Sequence, residues 1–343
     1  NRGEIFGEFI DKYTIRESEA DGATVPVLYE GRTAQGAVKD GSSLDELFED
    51  FFADRPQEEL EAIKQKYATK GNVLEATKLI EEKARDMLRH YVTHILPNGF
   101  KAQVVGYSRL AAVRYKTAFE EARDELLQAA DRLSPEMKAL DDEALARKSP
   151  KLQALVQAER YRELLAQLEF ATIVSGSNND GSEWQAHTDR ARQDEAIARF
   201  KKPLLPKEGQ TANTDPLAFL IVKSMLLTGF DAPIEGVMYL DRSIREAELL
   251  QTIARVNRTG FGKSVGIVVD YFGVANHLKA ALAAYSDEDV DGALRSLKDE
   301  IPALRDRHLR AVDVLRSRGI EDLNDIETCV QAFRRGSVNS ESG

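Results

Sequence analysis

Three runs late in the chain, Leu217 to Val222, Gly236 to Leu240 and Ser264 to Tyr271, carry nearly unbroken stretches of apolar residues rather than an alternation of apolar and polar ones. A strand with no polar face has to be covered on both sides, and such strands belong to parallel sheets sandwiched between helices. Thr24 to Tyr29, Lys101 to Tyr107 and Phe170 to Ser175 read as three earlier strands, the second entered through a turn at Asn98-Gly99. Helical stretches separate the strands, the order that produces a parallel sheet. The expected fold class is therefore α/β, a parallel sheet with helices on both faces.

The helical stretches are long enough to count as insertions. Ser42 is a plausible N-cap for a helix beginning at Leu44, and helices are expected over about 44–53, 56–69 and 73–96, with Pro56 suited to a first helical position. A long helix from Arg109 to Arg132 places Leu110, Val113, Ala118, Phe119, Ala122 and Leu126 on roughly one stripe. Further helices are expected at 134–147, 150–168 and 189–200, with the polar loop Ser175 to Gly181 between strand and helix. The insertions fall at about 44–96 and 109–168. From 275 only helical periodicity remains, so 275–334 is expected to open an α-helical C-terminal region, and the Gly/Ser/Asn-rich 335–343 to be a disordered tail.

The chain has 343 residues, 42% of them hydrophobic and 31% charged, enough for more than one domain and a sizeable core. No apolar run approaches the roughly 20 residues of a membrane span, and no signal peptide is visible. The single cysteine, Cys329, excludes an internal disulfide and suits a reducing cytosol. The formal net charge of −11 argues against a surface that coats nucleic acid broadly, but allows a local cationic track. Because it begins at Asn1, the sequence reads as a fragment of a longer protein.

Chemistry is concentrated in Gln251-Thr252-Ile253-Ala254-Arg255-Val256-Asn257-Arg258. Gln251, Arg255 and Arg258 stand at i, i+4 and i+7, which on a helix is a single face. Arg carries a planar fork of donors that stays charged, the natural grip for phosphate oxygens. For an arbitrary helix a solvated Arg pair is the ordinary explanation. Here Leu249, Leu250, Ile253 and Val256 make the segment partly buried, and a buried Arg requires an anionic partner. Upstream, Thr228-Gly229-Phe230-Asp231-Ala232-Pro233 has the composition of a tight functional loop.

These two segments resemble motifs V and VI of superfamily-two helicases and translocases, with Ala254 at a position where the motif has Gly. The longer string, Met225 to Pro233, then Gln251 to Arg258, then Gly266 to Tyr271, resembles the restriction (motor) subunit of type I restriction–modification enzymes. Phe6 to Asp11 and Val25 to Glu30 fit the same family, and Lys101 to Val105 followed by Ser108-Arg109 resembles motif IV. The resemblance covers about 5–325, with its specific signal at 217–271. It implies that 1–274 is a second RecA-like lobe. ATP and Mg2+ would be held mainly by a first lobe, whose Walker lysine and DExx acid do not occur here. On this resemblance Arg258, the better candidate for an arginine finger, and Arg255 face the γ-phosphate, and Gln251 positions phosphate or water. Gly229 and Asp231 belong to the nucleotide cleft, while Ser108, Arg109 and Thr228 contact DNA. The implied partners are double-stranded DNA, modification and specificity subunits, and the first lobe and nuclease domain of the same chain, in a prokaryotic cytoplasm.

Other signals are decoys. Gly262-Lys263-Ser264 mimics a P-loop end, but Asn257 stands where the first Gly is needed, and the segment joins helix to strand instead of strand to helix. Asp142-Glu143-Ala144 resembles a DExx box in a polar helix. His90 and His94 share a face without an evident carboxylate partner or third ligand, so no metal site is expected. Trp184 reads as a packing residue, and Lys201-Lys202 as a solvated pair. Two other functions remain open: a lobe of another superfamily-two helicase or type III restriction subunit, and a non-catalytic docking module whose helical insertions bind partner subunits.

Overall fold

The computed structural model of the chain describes residues 15–32, 77–178, 180–206, 213–244, 246–272 and 295–296. The helices expected over 44–53 and 56–69, the Phe6 to Asp11 string, the helical region from 275 and the tail lie outside the described residues. The chain divides into two compact units, Asn1–Leu294 and Arg295–Gly343. In the second, a two-residue strand, Arg295–Ser296, is described.

Among its described residues the first unit has six strands: β1 (Val27–Gly31), β2 (Lys101–Gly106), β3 (Glu169–Ile173), β4 (Leu217–Val222), β5 (Glu235–Asp241) and β6 (Gly266–Asp270). Their spatial order is β3-β4-β2-β5-β6-β1 and every pairing is parallel. All six expected strands form, each within a few residues of the expected bounds. This is the parallel α/β class that the alternation of strands and helices implied.

Both faces are covered, for the reason the apolar runs gave. In β4, Phe219 and Ile221 point to one core and Leu220 and Val222 to the other, the period-two alternation of a strand buried twice. The connecting helices are α1 (Ile15–Ala20), α2 (Thr77–His90), α3 (Arg109–Asp131), α4 (Pro135–Lys138), α5 (Asp142–Ala146), α6 (Pro150–Arg160), α7 (Arg162–Gln167), α8 (Gln185–Thr188), α9 (Arg190–Phe200) and α10 (Glu246–Ile253). The first face is packed by α2, α3, α6 and α7, through residues such as Met87, Phe119, Ala158 and Leu165. Phe119, Phe170 and Phe219 meet there at centroid separations of 4.9 to 5.3 Å. The second face is packed by α9, by α10 and by the β4–β5 loop, through Phe200, Leu249, Ile253, Leu227 and Phe230.

Several expected helices are shorter or broken. The stretch 73–96 is α-helical over Thr77–His90, then opens into a π turn at Tyr91–Ile95 and tightens into a 3-10 turn at Leu96–Asn98. Pro97 has no N–H to continue the helical ladder. The stretch 134–147 splits into α4 and α5 because Asp141 caps a new helix, accepting from the Ala144 N–H at 2.7 Å. Tyr161, at φ −104 and ψ 24, separates α6 from α7. On α3 the buried stripe is Ala111, Ala112, Tyr115, Ala118, Phe119, Ala122, Leu126 and Ala130. Leu110, expected on it, is exposed. The spacing of three and four residues from Ala111 or Ala112 passes it by.

Polar pairs pin α2 to the sheet. Lys83 Nζ lies 2.5 Å from Asp241 Oδ1, both side chains buried, and the Tyr115 hydroxyl donates to Asp241 Oδ2 at 2.6 Å. The Tyr271 hydroxyl donates to Asp86 Oδ2 at 2.5 Å, and Arg32 reaches the same oxygen at 3.3 Å. Burial pushes the Asp86 carboxyl up against the pull of Arg32. Glu30 on β1 stands 3.7 Å from His90 Nε2, a carboxylate neighbour that sequence spacing did not reveal. Burial drives His90 well below its ordinary value, so a neutral imidazole shares a 2.8 Å hydrogen bond with Tyr239. Among the described residues no group of three His, Cys, Asp or Glu could hold a metal ion, and no helix is long and apolar enough to cross a membrane.

Candidate functional site

The loop between β4 and β5 sorts its residues by depth. Leu227, Phe230 and Ala232 are buried in the second-face core, while Thr228, Gly229 and Asp231 are exposed. Gly229 has φ +70, and a Cβ there would meet nothing within 4 Å. The glycine is thus required by the backbone turn and not by lack of space. Anchored on both sides by apolar residues, the loop presents Asp231 in a fixed place.

α10 leaves the carboxyl end of β5 and carries the second segment back across the same face. Leu249, Thr252, Ile253 and Val256 are buried; Gln251 faces solvent. The helix ends at Ile253. Arg255 and Val256 then bond to carbonyls three residues back, at 3.1 Å each, so the chain tightens as it exits. The expectation that Gln251, Arg255 and Arg258 share one helical face is therefore corrected. Arg258 lies beyond the helix, bridged to Thr24, and the Val25 N–H donates to the Asn257 carbonyl at 3.0 Å. The reason is local crowding: a Cβ at Gly266, the first residue of β6, would lie 2.4 Å from the Val256 carbonyl oxygen. β6 packs so closely that another helical turn has no room.

Tertiary packing nevertheless gathers the residues. The Arg255 guanidinium donates from Nη1 to the Phe230 carbonyl and from Nε to the Gln251 carbonyl at 3.1 Å, the second an end-of-helix carbonyl in need of a donor. Arg258 Nε stands 3.7 Å from Asp231 Oδ1, with side chains 48% and 65% exposed. Arg255 is thus held by carbonyls, whereas Arg258 has, among the described residues, one loose and screened ionic contact and can reach outward. Burial and then the like charge of Arg258 lower the Arg255 guanidinium from its ordinary value.

The candidate residues fall at both ends of the strands. Ligands of open α/β sheets commonly sit beyond the carboxyl ends of strands, and the loop does start there, after Val222. The arginines, however, lie where α10 returns to the amino ends of β1 and β6. Ser108 and Arg109 stand at the carboxyl end of β2, so the two groups of site residues occupy opposite edges, separated by a strand length on the order of 20 Å. Ser108 caps α3, its Oγ accepting from the Ala111 N–H at 3.1 Å. Arg109 pairs with Asp180 at 2.5 Å and lies over the Trp184 ring, 4.3 Å from its centroid. Trp184 thus packs, as expected, and also carries a cation.

Behind the arginines sits an acid that sequence reasoning missed. Glu235 opens β5 with its carboxylate fully buried and, among the described residues, neither oxygen has a hydrogen-bond partner. The signal was present, a lone acid in an apolar strand run. Lys263, the P-loop mimic, is buried beside it and donates to the Glu235 backbone carbonyl at 2.7 Å, so it is not presented to a phosphate. Burial raises the Glu235 carboxyl to about 8, against the pull of Lys263 and Arg255, and lowers Lys263 to about 8. From the ordinary carboxyl value of 4.5 up to about 8, the folded chain keeps a proton that the unfolded chain has released, so stability falls as pH rises. Above about 8 the unfolded chain is the one that keeps a proton, on Lys263, and stability recovers toward the ordinary lysine value of 10.5. Glu235→Gln is expected to flatten the falling limb in urea titrations between about pH 5 and about pH 8. An unaltered slope would discard Glu235 as its source.

The site is thus an arginine pair docked against the loop that connects two neighbouring strands of a parallel α/β sheet. The family model described as type I restriction enzyme subunit R domain 3 matches residues 98–272, and a model described as SWI2/SNF2 ATPase matches residues 1–61. The chain belongs to the type I restriction enzyme R-subunit family. It is 27% identical over 315 residues to the type I restriction enzyme HindI endonuclease subunit of Haemophilus influenzae, a match covering 88% of this chain and 25% of that protein. It is 31% identical over 122 residues to the type I restriction enzyme SsaAORF53P endonuclease subunit of Staphylococcus saprophyticus, covering 34% of this chain and 13% of that one. Among solved structures, the ATP-dependent type ISP restriction-modification enzyme LlaBIII bound to DNA aligns with a TM-score of 0.44 at 9% identity, covering 86% of this chain and 17% of that one. The chain spans about a quarter of the length of the curated relatives that it matches over most of its own length.

Proposed function

We propose that this chain supplies the second RecA-like lobe, residues 1–274 with the two helical insertions, and the start of a helical region, 275–334, of a type I restriction enzyme's motor subunit. The whole enzyme would translocate double-stranded DNA at the expense of ATP, working with modification and specificity subunits in a prokaryotic cytoplasm. One observation carries the reading: Arg255 is seated on the Phe230 carbonyl while Arg258, beside Asp231, stays half-exposed. A seated guanidinium beside a half-exposed one is the arrangement needed if the pair completes a phosphate site that another lobe supplies.

In this reading ATP is the substrate, and its triphosphate and Mg2+ are held mainly by a first lobe. Arg258 supplies a guanidinium fork to the phosphoryl group being transferred, and charge stabilisation of that kind contributes about 10³–10⁵ in rate. Arg255 fixes the segment that carries Arg258. Gln251 orients phosphate or water from the exposed side of α10, and Gly229 and Asp231 couple nucleotide state to the loop bearing Thr228. Ser108 and Arg109, at the opposite edge, hold a phosphate of the DNA backbone, which positions the duplex without reading its sequence. The two edges are joined by buried, fully covered strands, a rigid path between hydrolysis and grip.

The isolated chain is expected to hydrolyse no ATP, with or without duplex DNA, because the arginines complete a site that they do not contain. Colorimetric phosphate release from the purified chain tests this. Steady DNA-stimulated turnover would mean that the nucleotide site lies within these residues and that the assignment to a second lobe is wrong.

A further inference from the structure

Arg109 is an odd residue to begin a long helix. The amino end of α3 is the positive pole of its aligned peptide dipoles, where a cation is disfavoured unless an anion stands beside it. The chain provides that anion from a distant loop. Asp180 Oδ2 lies 2.5 Å from Arg109 Nη2 and also accepts the Ser177 N–H at 2.7 Å, while the Asp180 N–H returns to the Ser177 carbonyl at 3.1 Å. The guanidinium carbon lies over the Trp184 indole, 4.3 Å from the ring centroid, a cation–π contact that helps to hold it in place. One carboxylate oxygen engages one nitrogen. Arg109 Nε is buried and, among the described residues, has no hydrogen-bond partner. A guanidinium held by a single carboxylate oxygen through Nη2 can exchange that partner for a phosphate oxygen on its solvent-facing side. The pair is open to solvent on one side, with the two side chains 22% and 16% exposed.

We propose that Asp180 is an internal stand-in for a DNA phosphate, keeping Arg109 aimed over Trp184 until a backbone phosphate displaces it. The inference rests on the reading of Arg109 as a DNA contact. The exchange is a competition between anions. The hydrogen bond from Arg109 holds the Asp180 carboxyl below its ordinary value, so the carboxylate stays charged and leaves by being outcompeted rather than by taking a proton. The device sets a threshold: small anions and isolated phosphates gain little over the carboxylate already present, whereas a duplex that makes further contacts wins.

The test is binding of a fluorescent duplex of unrelated sequence to the intact enzyme carrying this chain, over roughly 50 to 200 mM salt. Asp180→Asn keeps an oxygen for the Ser177 N–H and removes the charge. It is expected to bind several-fold more tightly at low salt, and its plot of log affinity against log salt is expected to steepen by about 0.9, the increment for one phosphate no longer offset by a released carboxylate. Asp180→Glu, which keeps the charge, is expected to behave like the parent. Arg109→Ala is expected to bind more weakly with a slope close to the parent's, since the released carboxylate already offsets that phosphate in the parent, and adding Asp180→Asn to it should restore nothing. If Arg109→Ala binds like the parent, the DNA-contact reading itself fails. If Arg109→Ala weakens binding but Asp180→Asn is neutral or weaker, that reading survives and the stand-in is overturned, leaving a structural ion pair.

Discussion

Alanine in place of Arg258 is expected to cut DNA-stimulated ATP hydrolysis by the intact enzyme about 10³-fold or more while its melting temperature changes little. The asymmetry between the two arginines drives this expectation. Arg258 is half-exposed, and its contact within the chain is a 3.7 Å approach to Asp231, an exposed pair that contributes little to folding. Arg255, by contrast, closes the end of α10 and clamps the Phe230 carbonyl, so its loss combines catalytic and structural effects and is a poorer test. Arg258→Lys sharpens the experiment. Lysine keeps the charge and loses the fork, so if two-pronged phosphate contact matters, most of the rate is lost there too. Turnover within a few-fold of the parent for the alanine variant would remove Arg258 from the reaction and, with it, the main support for the motor reading.

The largest effect on stability is expected at Asp241. Its carboxylate is fully buried, 2.5 Å from the Lys83 ammonium and 2.6 Å from the Tyr115 hydroxyl, and it joins α2 and α3 to the carboxyl end of β5. Asp241→Ala leaves the ammonium buried without its counter-charge, which costs about 3–5 kcal/mol, a large part of the stability of an ordinary domain. The cause is separable from lost packing. Replacing both partners with apolar residues, as in Lys83→Met with Asp241→Leu, removes the stranded charge and is expected to recover much of the loss. Urea unfolding of the parent and the two variants decides the matter. A single-variant loss below about 1 kcal/mol, or a double variant no better than the single, would show that the pair is not what fastens α2 to the sheet.

Much of the fold could be read without coordinates because its signal is local. Strands such as Leu217 to Val222 advertise burial on both faces by lacking polar residues, and all six form. Helix breaks were less legible. Asp141 and Pro97 act through single hydrogen bonds that are gained or missing, which a pattern of apolar spacing averages over. The candidate site was legible in composition but not in geometry. Gln251, Arg255 and Arg258 were picked out by type and spacing, yet α10 stops at Ile253 because Gly266 and Val256 are in close contact, and no helical periodicity encodes a clash with a later strand.

What the sequence determined by itself is the layered parallel architecture and the choice of the residues proposed to meet phosphate, since both follow from side-chain chemistry along a short stretch of chain. Tertiary structure alone decided who partners whom. It seats Arg255 on Phe230, stacks Arg109 on Trp184 against Asp180, buries Glu235 beside Lys263, and sends the arginines and the Ser108 cap to opposite edges of the sheet. Those pairings join residues tens or hundreds of positions apart. They are fixed by the order of strands and the path of the connections, quantities that arise only when the whole core closes.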